Sequence, residues 1–113
     1  MTKVKYSTAA KQDLEEIGDY IAQTLKNPIA ALNTLRKIQD TVDKLTDFPL
    51  IGSALSSNAG MEKEYRYLVS RNYLVFYRVQ TDSVYIARIL YGRRDYMSIL
   101  FGDVPENEPE STE

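Results

Sequence analysis

The sequence predicts an α+β domain in which an αα-hairpin packs on one face of an antiparallel sheet, in the order β-α-α-β-β-β, with a short C-terminal helix. Three observations carry this. Two consecutive segments with helical apolar spacing are joined by Asn27-Pro28. Three later segments are dense in Tyr, Val, Ile and Leu, residues that favour strands. The 113 residues, 43% apolar and 27% charged, make one core of ordinary size and not two. One helical layer on one sheet buries both apolar surfaces.

The elements follow in order. Residues 2–6 (TKVKY) alternate polar and apolar, a short strand with Val4 and Tyr6 on one face. Ser7 or Thr8 caps the first helix, about Thr8 to Lys26, whose stripe is Ala10, Leu14, Ile17, Ile21 and Leu25. The acids Asp13, Glu15, Glu16 and Asp19 read as its solvated face. Asn27 caps a second helix and Pro28 fits its first turn. That helix runs to about Asp47 along Ile29, Leu32, Leu35, Ile38, Val42 and Leu45, and Phe48-Pro49 stops it. Residues 49–60 (PLIGSALSSNAG) read as a loop, with Gly52 and Gly60 in ordinary turns. Glu64–Ser70, Asn72–Gln80 and Ser83–Tyr91 are the strands, the last two a hairpin about Thr81-Asp82. A two-residue turn there puts Leu74, Phe76, Ala87 and Ile89 on one face, expected beneath the helices. Tyr73, Val75, Tyr77, Ile86 and Arg88 then share the other, expected to be the free working face. Tyr96 to Phe101 (YMSILF) can form one or two helical turns. Residues 1–102 are expected to be the domain, and 103–113 (DVPENEPESTE) an acidic, disordered tail.

Composition narrows the function. The formal net charge of −2 conceals a tail with five acids and no base, behind a domain of +3. Between Lys63 and Arg94 stand seven bases against two acids, and six of the seven are arginine. Arginine presents a fixed fork of donors that suits phosphate or carboxylate, so a basic surface for an anionic partner is expected. No apolar run approaches the roughly 18 residues of a spanning helix, and Met-Thr-Lys-Val-Lys-Tyr lacks the apolar core of a secretory signal. A cytoplasmic protein with no membrane partner is expected. The chain has no cysteine and no histidine. Disulfides, zinc fingers and histidine-based acid–base systems are excluded, and no metal or cofactor is expected.

What remains is the chemistry of Arg, Lys and Tyr. Such a set can cleave RNA without metal, using the RNA's own 2′-hydroxyl as nucleophile and cations to hold the phosphate charge. Lys63, Arg71, Arg94 and Tyr96 are the candidates, with Arg93 as auxiliary. The competing reading is structural: Tyr96 packs and the arginines pair with nearby acids.

The order of elements, the helix-one pattern Ala10, Asp13-Leu14, Ile17, Tyr20-Ile21, the Pro49/Gly52 loop, the Asn72-Tyr73 strand entry and the Arg93-Arg94-Asp95 close together resemble the RelE/ParE superfamily of bacterial toxins. The resemblance covers about residues 2–102. It implies a growth-inhibiting, plasmid-stabilising toxin of a type II toxin–antitoxin system, silenced by a cognate antitoxin that lays a helix and a strand on it. RelE-like members are ribosome-dependent mRNA endonucleases, whereas ParE-like members bind DNA gyrase. Lys63, Arg71 and Arg94 stand for the basic residues of the RelE-like pattern. Leu100, however, occupies the place of its tyrosine, and Tyr96 is not at that spacing. Asp95-Tyr96-Met97-Ser98-Ile99-Leu100 resembles the ParE-like ending. The ParE-like branch is therefore the expectation, with Tyr73, Tyr77, Arg88, Arg93, Met97 and Leu100 as target- or antitoxin-binding residues. The alternative is mRNA cleavage on the ribosome.

Overall fold

A computed structural model describes residues 2–55 and 65–92. Its order is β1 (Lys3–Tyr6), α1 (Thr8–Asp19), a π-helical turn (Tyr20–Thr24), α2 (Pro28–Asp47), β2 (Ser53–Ala54), β3 (Tyr65–Ser70), β4 (Tyr73–Val79) and β5 (Ser83–Tyr91). The sheet runs β1-β5-β4-β3-β2. It is mixed: β1 lies parallel to β5, from Lys3 opposite Ser83 to Tyr6 opposite Ile86, and the other pairs are antiparallel. The expected purely antiparallel sheet is corrected in this respect, and β2 is an added edge strand inside the segment read as loop. The expected C-terminal helix and acidic tail lie outside the described residues.

The caps form as the sequence dictates. The Ser7 hydroxyl accepts from Ala10 N at 2.8 Å and donates to the Ala87 carbonyl at 2.7 Å, so one side chain both starts α1 and ties it to β5. Asn27 Oδ1 accepts from Ala30 N at 3.0 Å, ahead of Pro28 in the first turn of α2. Between the helices, Tyr20–Thr24 widens to i→i+5 bonding, and Lys26 ends the turn at φ 56°. The extra residue in that turn rotates the helix surface, which explains why Leu25, expected in the core stripe, is exposed.

The α2 stripe is corrected as well. Ala31, Ile38, Val42 and Leu45 are its buried positions, while Ile29 and Leu32 are 71% and 61% exposed. At about 100° per residue, Ile29 stands about 180° around the axis from Ile38. A run of i+3 steps drifts steadily off one face.

The β4–β5 hairpin turns at Thr81-Asp82 as expected, with Val79 opposite Val84 and Tyr77 opposite Ile86. A bulge then leaves Ala87 without a partner, so Phe76 faces Arg88 and Val75 faces Ile89. One inserted residue reverses the parity of everything beyond it. Ile86 and Ile89 consequently lie in the same core as Val75, Tyr77, Val84, Ala10 and Ile38. On β4 the expected faces are reversed, since Tyr73, Val75 and Tyr77 face the helices, while Ile89 lies beneath them as expected. Phe76 and Leu90 are instead in a second buried cluster with Leu55, flanked by Tyr65, Tyr67 and Leu74. The sheet surface away from the helices is not a free face at these positions, since Phe76 is fully buried. Arg78 there stands between the rings of Tyr65 and Tyr85, 5.7 and 5.3 Å from their centroids.

Candidate functional site

The β3–β4 connection is a two-residue turn. Ser70 pairs with Tyr73, so Arg71 and Asn72 alone make the turn. Arg71 adopts φ 56°, a left-handed conformation that costs an arginine roughly 1 kcal/mol relative to the right-handed region. The turn is held from outside by Gly92 N, which donates to the Asn72 carbonyl at 2.7 Å. Arg71 is thus fixed at the rim of a cleft of about 870 Å³. The cleft lies between the end of α1, the π-helical turn, the start of α2, and the ends of β4 and β5. Glu16, Tyr20, Leu25, Tyr73 and Tyr91 are among its walls. The Tyr73 and Tyr91 rings meet edge-to-face with centroids 5.8 Å apart. Burial pushes the Tyr73 hydroxyl above its ordinary value, and the nearby Tyr91 and Tyr20 push the same way. Tyr73 is therefore a neutral aromatic wall at pH 7 and not a base.

Arg88 does not join this rim. Its Nε and Nη2 each donate to the Asp13 carboxylate at 2.8 Å, and Ile89 N donates to Asp13 Oδ2 at 2.9 Å. The carboxylate accordingly raises the Arg88 guanidinium above its ordinary value, against burial. Asp13 is only 6% exposed, so its place on a solvated acidic face is corrected. It seals the edge of β5 at the point where β1 has ended, supplying the acceptor that a neighbouring strand would have given. Arg71 lines the cleft without Arg88, so the expected gathering of guanidinium groups on one face is not formed by these two.

Tyr77 is corrected too. It has no exposed surface, and its hydroxyl accepts from Gly52 N at 2.8 Å. A side chain at Gly52 would place Cβ 2.5 Å from that hydroxyl and 2.6 Å from the Tyr67 carbonyl. Gly52 is therefore required for close approach, beyond an ordinary turn. Arg66 Nη1 completes the clasp by donating to the Gly52 carbonyl at 2.8 Å. Burial raises the Tyr77 hydroxyl, opposed by the Gly52 bond and the Arg66 charge. Folded, Tyr77 does not present itself to a partner. Lys63, Arg93, Arg94, Tyr96, Met97 and Leu100 lie outside the described residues. The structure brings together Arg71 and Tyr73 of the expected set.

Two features escaped the sequence reading. Tyr20, Leu25, Ile29 and Leu32 are all exposed large apolar side chains around the helical turn and the start of α2. Arg36 and Lys37 on α2 stand with Arg71 around a second, polar notch. The exposed apolar positions were detectable only by computing helical angles, and the notch only by knowing that the β3–β4 turn meets α2. Among the described residues no group of His, Cys, Asp and Glu is arranged to hold a metal, and no helix is long and apolar enough to cross a membrane.

Two helices on one side of a five-stranded mixed sheet define the architecture of RelE/ParE superfamily toxins. A chromosomal ParDE system structure from P. aeruginosa is 25% identical, with 80% of this chain and 96% of that one covered at a TM-score of 0.67. A RelBE toxin–antitoxin complex from Mycobacterium tuberculosis shares the fold at 19% identity, 80% and 96% coverage and a TM-score of 0.58. YafQ from E. coli shares it at 17% identity, 90% and 100% coverage and 0.52. Among curated proteins none matches the sequence. The family model for the ParE toxin of type II toxin–antitoxin systems matches residues 4–96, and the chain belongs to that family.

Proposed function

We propose that this toxin inhibits growth in the ParE-like manner, by binding DNA gyrase, and that a cognate antitoxin silences it. The ParE family match over residues 4–96 carries the reading. The composition supports it: the chain has no histidine for acid–base work, and its first 102 residues carry only +3 for entry to a phosphate-rich ribosomal site. The cleft supports it as well. Arg71 stands at an aromatic and apolar cleft, and Arg88, the other described candidate cation, is committed to Asp13. Tyr73 and Arg71 then contact the target or antitoxin, with Arg93, Met97 and Leu100 of the C-terminal segment. The antitoxin lays an apolar helix face over Tyr20, Leu25, Ile29 and Leu32, which would otherwise stay in contact with water.

The test is a supercoiling assay with relaxed plasmid, gyrase and the purified toxin. Loss of supercoiling, with broken DNA accumulating, is expected, and added antitoxin should restore activity. Full supercoiling at toxin excess, with new mRNA ends appearing in a translation extract, would replace this reading with ribosome-dependent cleavage by Lys63, Arg71, Arg94 and Tyr96.

A further inference from the structure

We propose that the chain's own acidic tail, Asp103–Glu113, docks in the polar notch between α2 and the β3–β4 turn and occupies it against other anionic partners. The notch measures about 390 Å³ and is walled by Arg36, Lys37, Arg71, Asn33, Thr34 and a single acid, Asp40. Among the described residues the Asp13–Arg88 pair is the only ion pair, so the three cations of the notch have no carboxylate within 4.0 Å. All three are exposed, and Arg71 sits in the β3–β4 turn with a left-handed backbone, φ 56°. Three cations lining one notch against the single acid Asp40 leave it a net positive field, which an anionic occupant neutralises.

Charge and tether identify the occupant. Asp103, Glu106, Glu108, Glu110 and Glu113 give the tail five acids and no base. The described chain leaves the sheet at Gly92, whose N–H is bonded to the Asn72 carbonyl, one residue from Arg71. Ten residues, 93–102, separate Gly92 from Asp103. The linker starts beside Arg71, and ten residues reach at most about 35 Å, so the acids of the tail lie within reach of the notch. A tether of this length holds the tail at an effective concentration of roughly millimolar, so an intrinsic affinity of that order is enough to occupy the notch. The contact is electrostatic and reversible, and it does not depend on which target the toxin has.

The chain has no cysteine, so Asn107→Cys gives one labelling site in the full-length protein and keeps all five acids. With a nitroxide on that thiol, the amide signals of Arg36, Lys37, Arg71 and Asn72 should lose most of their intensity at low salt. They should recover in about 1 M salt, where the Debye length is about 3 Å. Arg36→Gln with Lys37→Gln, both at exposed positions of α2, should also restore them while leaving the remaining spectrum in place. Broadening spread evenly, centred on the β1 edge at Lys3 and Lys5, or indifferent to salt and to the charge variant overturns the proposal. So does a tail that leaves the notch signals sharp while an added RNA oligonucleotide shifts them.

Discussion

Replacing Asp13 by alanine removes three hydrogen bonds at one stroke, those from Arg88 Nε, Arg88 Nη2 and Ile89 N. Two orphans remain. Ile89 N loses its acceptor at a buried point of β5, a loss worth about 1–3 kcal/mol. Arg88 keeps its charge beside the core, where breaking a fully buried pair would cost about 3–5 kcal/mol. The Arg88 side chain is 26% exposed, so water recovers part of that second cost. Taken together, Asp13→Ala should destabilise the protein by about 3 kcal/mol, which for a domain of this size lowers Tm by about 15 °C. Asp13→Asn keeps an acceptor for Ile89 N and loses the charge, so it should fall between parent and alanine. Arg88→Ala should cost a comparable amount by leaving Asp13 buried and half satisfied. The double variant should cost less than the two single losses added, by about 1–3 kcal/mol, because each removes the same pair. The assay is urea unfolding of the full chain followed by far-ultraviolet circular dichroism. Glu16→Ala, an exposed acid of the same helix, is the control and should change stability by less than about 0.5 kcal/mol. If Asp13→Ala matches that control, or if the two single losses simply add, the carboxylate does not hold α1 to β5 as argued.

Gly52→Ala should cost about 1–3 kcal/mol by urea unfolding, because its Cβ meets the backbone carbonyl of Tyr67, which cannot swing aside as a side-chain end would. Tyr77→Phe leaves Gly52 N without its acceptor and should cost about 1–2 kcal/mol at pH 7. Burial raises the Tyr77 hydroxyl above its ordinary value near 10. Its stabilisation is therefore complete below that value and fades as pH rises through the folded-state value, since the unfolded chain ionises first. Urea midpoints at pH 7 and about 11 should show the gap between parent and Tyr77→Phe narrowing; an unchanged gap would refute the linkage. Tyr6 and Tyr73, also raised by burial, leave a residual alkaline loss in both proteins. Arg71→Gly should raise stability by up to about 1 kcal/mol by relieving the left-handed arginine, yet weaken growth inhibition on induction. A glycine variant that is both less stable and fully toxic would deny Arg71 its role at the cleft.

Much of the scaffold was legible. The caps at Ser7 and Asn27, the proline at the start of α2, the strand segments and the Thr81-Asp82 turn all follow from local chemistry, because each depends on residues within a few positions of one another. The candidate site was legible only in part. Arg71 and Tyr73 do meet at one cleft, but Tyr77 and Arg88 were misplaced, Tyr77 because pairing fixes which residues share a face of β4 and not which face the helices cover. A single bulge at Ala87 shifts the pairing of β5 on β4, and no local pattern marks where an extra residue enters a ladder. Tyrosine also reads as a half-polar surface residue until a partner for its hydroxyl is known, and for Tyr77 that partner is Gly52, 25 residues away.

By itself the sequence determined the layer architecture, the membership of two helices and a sheet, and the uneven charge between domain and tail. These depend on periodicity and composition, which are properties of neighbouring residues. The tertiary structure alone decided that Asp13 is a buried acceptor, that Gly52 must lack a side chain, and that Arg71 shares a notch with Arg36 and Lys37. Each of these joins atoms from elements far apart in the chain, and the burial and charge that give a residue its task exist only once those elements have met.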